Sequence, residues 1–228
     1  MTDLRPNLPP LPDKMKSLPL DHRGFPVPWF VQWFDAGKPT DNGVGVADFR
    51  VIDPQRIARA VKQRRCWVCG GPLGVHMAFV IGPMCAVNRV ISEPPSHRDC
   101  AIFSATACPF LSQPRMRRNE KGIDSAVEAG ELKEAAGFGL KRNPGAACVW
   151  ITRSYTVFRP HAGSPGVLFK LGHPEETLWF AHGRAATRAE VMESIESGLP
   201  LLRAGDEGPE AEKALNAAIE RAMPLLPA

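Results

Sequence analysis

Four residues in the middle of the chain combine metal-ligand chemistry with metal-ligand spacing. Cys66 and Cys69 flank two residues in "QRRCWVCGGPL" (63–73), and His97 and Cys100 flank two more in "EPPSHRDC" (93–100). Thiolate and imidazole are donors that zinc takes in closed four-coordinate sites, and three cysteines with one histidine form a common set. A C-x2-C pair is alternatively a thiol–disulfide redox centre. That chemistry wants the pair at the start of a helix that follows a strand. Here the pair follows a helical pattern and is trailed by "GGPLG", which cannot open a helix, so half of a metal site is the better expectation.

The elements around these residues are legible from their punctuation. "ADFRVIDPQRIARAVKQRR" predicts a short strand and then a helix, with Asp53 as N-cap, Pro54 at the first helical position, and Ile57 and Val61 four apart on one face. Downstream, Pro94 and Pro95 stop a strand, Ser96 is a good N-cap, and Asp99 suits a first helical turn. His97 and Cys100 then fall three apart on that turn and face one ion together. Between the two pairs, "GVHMAFVI" and "CAVNRVIS" predict a β-hairpin bent at Gly82-Pro83.

Knuckle, hairpin and helix in this order resemble the treble-clef zinc finger over residues 64–110. The resemblance implies one Zn2+ held by Cys66, Cys69, His97 and Cys100. Cys85, in the second hairpin strand, is an alternative to His97 as ligand. Cys108 lies about 12 Å further along the helix from Cys100 by its rise per residue, too far to share the ion, and reads as core packing.

Treble clefs are shared with HNH endonucleases, so catalysis has to be weighed. That family implies a general-base histidine on the first hairpin strand, preceded by an acidic residue or histidine, then an asparagine, then a metal-holding residue on the helix. His76 and Asn88 occupy suitable places. Val75 precedes His76, however, and no histidine follows Cys100 on the helix, so a catalytic Mg2+ has little to hold it. The expectation is a structural zinc and no catalytic residue, with an HNH-like nuclease as the enzyme alternative. His161, His173 and His182 sit at turns without ligand spacing and are assigned no site.

Composition bounds the rest. With 228 residues and 44% hydrophobic content the chain has ample core, and a net charge of +4 is mildly basic. No apolar run is long enough to span a bilayer, and "MTDLRPNLPPLPDKMKSLPLD" has no apolar signal core. Together with six cysteines, too few for a disulfide scaffold, this predicts a cytoplasmic protein with reduced thiols. The expected organisation is α+β: a flexible proline-rich arm at 1–20, a zinc-finger domain at 21–111, a linker at 112–145, and a C-terminal region at 146–228. That last region is expected to hold a small antiparallel sheet, from strands at 149–158, 167–171 and 177–181, and two helices. The first of these helices opens on a Thr187/Glu190 capping box and stops at Gly198; the second opens at Pro209. The aromatic segment "GFPVPWFVQWFD" (24–35) reads as packing rather than as a base-stacking platform.

Positive charge flanks the finger on both sides: Arg56, Arg59, Lys62, Arg64 and Arg65 before it, and Arg115, Arg117 and Arg118 after it. Such residues can neutralise phosphates, which makes DNA or RNA a candidate partner. The competing expectation is a protein-interaction or structural protein in which the finger only fastens two halves. Neither reading calls for a membrane or a small-molecule cofactor. The phrases "GFPVPWF", "CWVCG" and "GPMCAVNR" resemble short bacterial and phage-type proteins, a resemblance that implies no mechanism.

Overall fold

A computed structural model describes residues 3–41, 43–113, 116–123, 142–164, 166–205 and 208–228. The chain is α+β, with three small antiparallel sheets and six α-helices among the described residues. The first sheet holds β1 (Val31–Asp35), β2 (Lys38–Thr40) and β3 (Val46–Ile52) in the order β2-β1-β3. Helix α1 (Pro54–Lys62) follows directly, and the Asp53 carboxylate accepts the Gln55 N–H as the sequence predicts.

The second sheet carries the core. It joins β4 (Met77–Ile81), β6 (Ala147–Thr152), β9 (Glu176–Ala181) and β10 (Arg184–Ala185) in the order β10-β9-β6-β4. Every residue of β6 is buried, because both faces of this central strand are covered. Strand periodicity divides its side chains. Cys148 and Trp150 enter one cluster with Phe79, Ile81, Phe169, Val191 and Ile195, while Val149 and Ile151 enter another with Ala101 and Ala105 of α3 (Arg98–Ala107). Alanines four apart on one helix face let α3 lie close against the strands.

The third sheet pairs β5 (Val90–Ile91) with β8 (Leu168–Leu171), and β8 with β7 (Tyr155–Phe158). The run at 149–158, read as one strand, is therefore two, split at Arg153-Ser154. The region before residue 112 and the region after 146 also share sheets, through β4 on β6 and β5 on β8. They do not fold as separate layers.

The hairpin expected between the cysteine pairs is not formed. Gly82 is an extended N-cap and Pro83 takes the first position of α2 (Pro83–Asn88), whose Ala86 and Val87 are buried. Proline at that position is preorganised for a helix, and it converts the presumed bend into a helix start. Strand β4 finds its partner in β6, nearly seventy residues on. The turn that carries Cys66 and Cys69 and the helix that carries Cys100 are present; the hairpin expected between them is not.

After the short α4 (Pro109–Ser112), the C-terminal helices are α5 (Arg188–Gly205) and α6 (Pro209–Ala222). The capping box forms: the Glu190 carboxylate accepts the Thr187 N–H at 2.8 Å, and the Glu190 N–H donates back to the Thr187 hydroxyl at 3.3 Å. Gly198 does not stop α5, which continues through Pro200. The glycine serves instead as a close approach, since a Cβ there would lie 2.6 Å from Met84 of α2.

The N-terminal segment departs most from expectation. Residues read from their prolines as a flexible arm pack inward: Met15 is 1% exposed, and with Leu18 it joins a cluster containing Cys66, Val68, Cys100 and Phe103. Proline stiffness here fixes a packed extended path rather than a free one. No helix among the described residues is long and apolar enough to cross a membrane.

Candidate metal centre

The knuckle begins where α1 ends. Arg64 adopts a left-handed conformation (φ 49°), which turns the chain out of the helix, and Arg65 and Pro72 then form an isolated antiparallel bridge. Inside this loop the Cys66 N–H donates to the Gly71 carbonyl at 2.7 Å, and the Gly70 N–H donates to the Cys66 carbonyl at 2.9 Å. Gly70 has φ +73°, and a Cβ there would lie 2.7 Å from the Trp29 ring. The position needs glycine for its backbone and again for its neighbour.

The aromatic segment supports the knuckle from behind. The Trp29 N–H donates to the Val68 carbonyl at 2.6 Å. Phe30 stacks on Trp67 with centroids 4.7 Å apart, and Trp33 is buried. These rings are packing, and they hold the two cysteines in place.

The second pair arrives differently from the sequence reading. Ser96 is not the N-cap; it forms a two-way backbone bridge with Ala78, at 2.9 and 2.7 Å. His97 is the N-cap residue, with extended backbone, and Cys100 sits in the first turn of α3. The bridge to β4 consumes Ser96 and shifts the helix start by one residue. The expected spacing still delivers both side chains to one place.

The ligand atoms of Cys66, Cys69, His97 and Cys100 all lie within 4.8 Å of one another, and this cluster can hold a metal ion. Cys66, His97 and Cys100 are buried and Cys69 is half-buried. His97 Nδ1 faces the sulfurs, 3.3 Å from Cys69 and 3.9 Å from Cys100. Its Nε2 lies 2.9 Å from the Pro72 carbonyl oxygen, a group that can only accept. The proton therefore sits on Nε2 and leaves Nδ1 as a free donor atom. Metal-bound histidines are oriented in this way by outer partners.

Electrostatics point the same way. Cys66 Sγ accepts backbone N–H groups from Cys69 at 3.4 Å and His97 at 3.3 Å, a sulfur environment suited to negative charge. Hydrogen bonds from Cys100 and then Cys69 pull the Cys66 thiol far below its usual range, while Cys66 and then Cys69 push the Cys100 thiol far above. The Cys66 thiolate also raises His97, against burial. Three sulfurs this close cannot all ionise on their own; a cation among them removes the conflict.

The remaining candidates separate from this cluster. Cys85 is on α2 and Cys108 lies between α3 and α4; neither belongs to the group of four. His76 Nδ1 lies 2.7 Å from one Glu175 carboxylate oxygen, and Arg153 holds the other oxygen of that carboxylate at 2.8 Å. Asn88 ends α2 and accepts the Val90 N–H at 2.9 Å. With no hairpin between them, His76 and Asn88 do not stand on paired strands as an HNH arrangement implies. His173 bonds the Pro174 carbonyl, and His182 pairs with Glu190 at 3.6 Å.

Among the basic residues, Arg56 is buried, ion-paired with Asp53 at 2.8 Å, and lies over the Trp29 ring at 4.6 Å. Arg59, Lys62 and Arg64 are exposed and Arg65 half-buried. Their hydrogen bonds go to neutral groups: Arg59 to Gln55, Arg64 to the Gly74 carbonyl, Arg65 to Gln63 and the Gly70 carbonyl. Arg117 and Arg118 are exposed, and Arg118 lies close enough to Glu93 to pull that carboxyl down against a larger upward push from burial. Arg115 lies outside the described residues, as does most of the linker.

Sequence reasoning missed the Pro72 carbonyl and the ring of Trp29 as partners of the site. "GGPL" signals a turn but not where its carbonyls point. No protein-family model, curated protein or solved structure matches this chain.

Proposed function

We propose that this chain is a nucleic-acid-binding module without catalysis, stapled by one structural Zn2+ on Cys66, Cys69, His97 and Cys100. The observation that carries the metal reading is the four-ligand cluster, with its histidine already oriented by Pro72. Three thiols and one imidazole suit zinc over the oxygen-seeking cations. Four protein ligands complete a tetrahedral set and leave no open position for substrate, which argues for a structural ion.

The nucleic-acid reading rests on the cations around the knuckle. Arg59, Lys62, Arg64 and Arg65 pair with no carboxylate among the described residues, so their charge remains available to phosphates. Arg50, at the end of β3, donates to the carbonyls of Asn119 at 3.4 Å and Lys121 at 3.0 Å, which ties the second basic stretch to the strand preceding α1. Arg56 drops out of the interface because its guanidinium is committed to Asp53 and Trp29.

A second reading, a protein stapled for structure or protein interaction alone, is favoured by the packing of Met15 and Leu18 on the same core as Cys66 and Cys100. Two measurements separate the possibilities. Metal analysis of purified protein is expected to give about one zinc per chain, and none would end the zinc reading. Titration with mixed-sequence DNA and RNA at increasing salt is expected to show binding that weakens steeply. No binding at low salt leaves the structural reading.

A further inference from the structure

A cavity of about 340 Å³ lies between the N-terminal segment and the far end of α3. Arg5, Asn7, Arg23 and Phe25 line it together with Ser112 and Gln113, and no aspartate or glutamate stands among its described lining residues. The volume is at the low end for small-molecule sites, which run from about 300 to 1,000 Å³.

Two guanidinium groups share one aromatic ring here. The Arg5 guanidinium carbon lies 5.0 Å from the Phe25 centroid and that of Arg23 5.4 Å. A ring face offsets the repulsion between them only in part. Asp21 accounts for one of the two charges: it accepts Arg23 Nε at 2.8 Å, while its other oxygen takes the backbone N–H groups of Arg23 and Phe25, each at 2.9 Å. Arg5 pairs with no carboxylate among the described residues. One positive charge is left over at the cavity wall.

Arg23 is preorganised, and the backbone of Arg5 is fixed beside it. Asp21 is buried and holds Arg23 through Nε, which leaves the two terminal nitrogens of its fork without a hydrogen-bond partner among the described residues. The Arg5 N–H donates to the Gly24 carbonyl at 2.9 Å, and Gly24 (φ +81°) has no room for a side chain, since a Cβ would lie 2.5 Å from the Asp3 carbonyl oxygen. The same turn therefore fixes the backbone from which both arginines project. Guanidinium forks match the oxygens of phosphate and carboxylate, and the bond that holds Arg23 lowers the entropy lost on binding.

We propose that this cavity binds a phosphate monoester. Asn7, Ser112 and Gln113 add neutral donors beside the two guanidinium groups, enough for the three terminal oxygens of a phosphate rather than the two of a carboxylate. The apolar remainder of the wall takes the group the phosphate is attached to. This inference does not rest on the nucleic-acid reading, because it uses none of the cations assigned to that reading.

The test is titration of the metal-loaded full chain, by calorimetry at low salt, with inorganic phosphate, adenosine 5′-monophosphate and adenosine. The monophosphate is expected to saturate one site and adenosine to leave it empty; saturation by inorganic phosphate as well would show that the phosphate alone is recognised. Arg5→Gln is expected to weaken binding about tenfold or more, the scale of a lost charge-assisted hydrogen bond, with an unchanged melting temperature, and Arg5→Lys to restore part of it. Arg59→Glu is expected to leave it untouched. No saturation by either phosphate compound, or equal affinity in Arg5→Gln and the parent protein, would overturn the proposal. So would loss of binding in Arg59→Glu, which would assign the phosphate to the basic face.

Discussion

His97 places Nε2 2.9 Å from the carbonyl oxygen of Pro72. Pro72 closes the knuckle that carries Cys66 and Cys69, so the loop that supplies two ligands also selects the tautomer of the third. The expected consequence is coordination through Nδ1, with a proton held on Nε2. Nitrogen-resolved NMR of histidine-labelled, zinc-loaded protein checks this directly. A metal-bound Nε2 would contradict it. Cys66→Ser or Cys100→Ser is expected to lose the zinc and unfold the surrounding core, since structural zinc binding is itself folding free energy.

Gly70→Ala is expected to destabilise the protein without touching a ligand. The left-handed backbone costs a non-glycine residue about 1–3 kcal/mol, and the new methyl group would also meet the Trp29 ring. Thermal unfolding of the zinc-loaded variant measures the loss, and Gly74→Ala, where a Cβ meets nothing within 4 Å, serves as the control. Equal melting temperatures for the two variants would show that the knuckle relaxes around the change.

Local chemistry was readable here and distant pairing was not. Each of the two ligand pairs, the Asp53 cap, the Thr187/Glu190 box and the Pro209 start depends on residues within a few positions of each other. The hairpin failed because an apolar run of strand length cannot declare its partner: "GVHMAFVI" supplies β4, whose partner β6 comes from the far side of the linker. Gly82-Pro83 is equally good chemistry for a bend and for a helix start, and the burial of Ala86 and Val87 decides between them. Gly198 likewise suits a helix stop or a close contact, and only Met84, from another helix, shows which it is. The buried N-terminal segment left no local signal because its partners are the cysteine core itself.

Thiol chemistry offers a count that needs no metal analysis. Burial pushes Cys85 up to about 11 and raises Cys108 and Cys148 as well. At pH 8 Cys85 is then thiolate in only about one molecule in a thousand, and the thiolate is the reactive form. With three other thiols bound to zinc, the loaded protein is expected to react slowly at all six cysteines, and chelation is expected to release the reactivity of Cys66, Cys69 and Cys100. A fast-reacting thiol in the loaded protein that maps to Cys85, Cys108 or Cys148 would contradict this.

The α5 cap carries a pH dependence whose sign is fixed. Arg184, and then the Thr187 N–H, lower the Glu190 carboxyl from its ordinary 4.5 to about 2. A carboxyl depressed in the folded state contributes stability above its unfolded value and loses it as the pH falls through the folded one. The contribution is therefore complete above about pH 4.5 and fades toward pH 2. Acid unfolding of Glu190→Gln is expected to be flatter than that of the parent across this window, with the difference screened by salt because the pair is exposed. Parallel curves would mean the cap exists in the unfolded chain too or contributes nothing.

Arg56 and Arg59 lie three residues apart on α1 and are expected to behave oppositely under substitution. Arg56 is buried against Trp29 with Asp53 as its ion partner, whereas Arg59 is exposed and bonded only to Gln55. Each phosphate neutralised by an exposed cation adds about 0.9 to the salt slope of duplex DNA binding. Arg59→Ala is expected to reduce that slope by about one contact, to weaken binding to all sequences alike, and to leave the melting temperature unchanged, since phosphate contacts position without reading sequence. Arg56→Ala is expected to lower the melting temperature, because it strips Asp53 of its partner beside a half-buried indole, and to leave the salt slope as it was. A slope that follows Arg56 instead would require the buried guanidinium to swing out on binding, and the interface would then include Trp29.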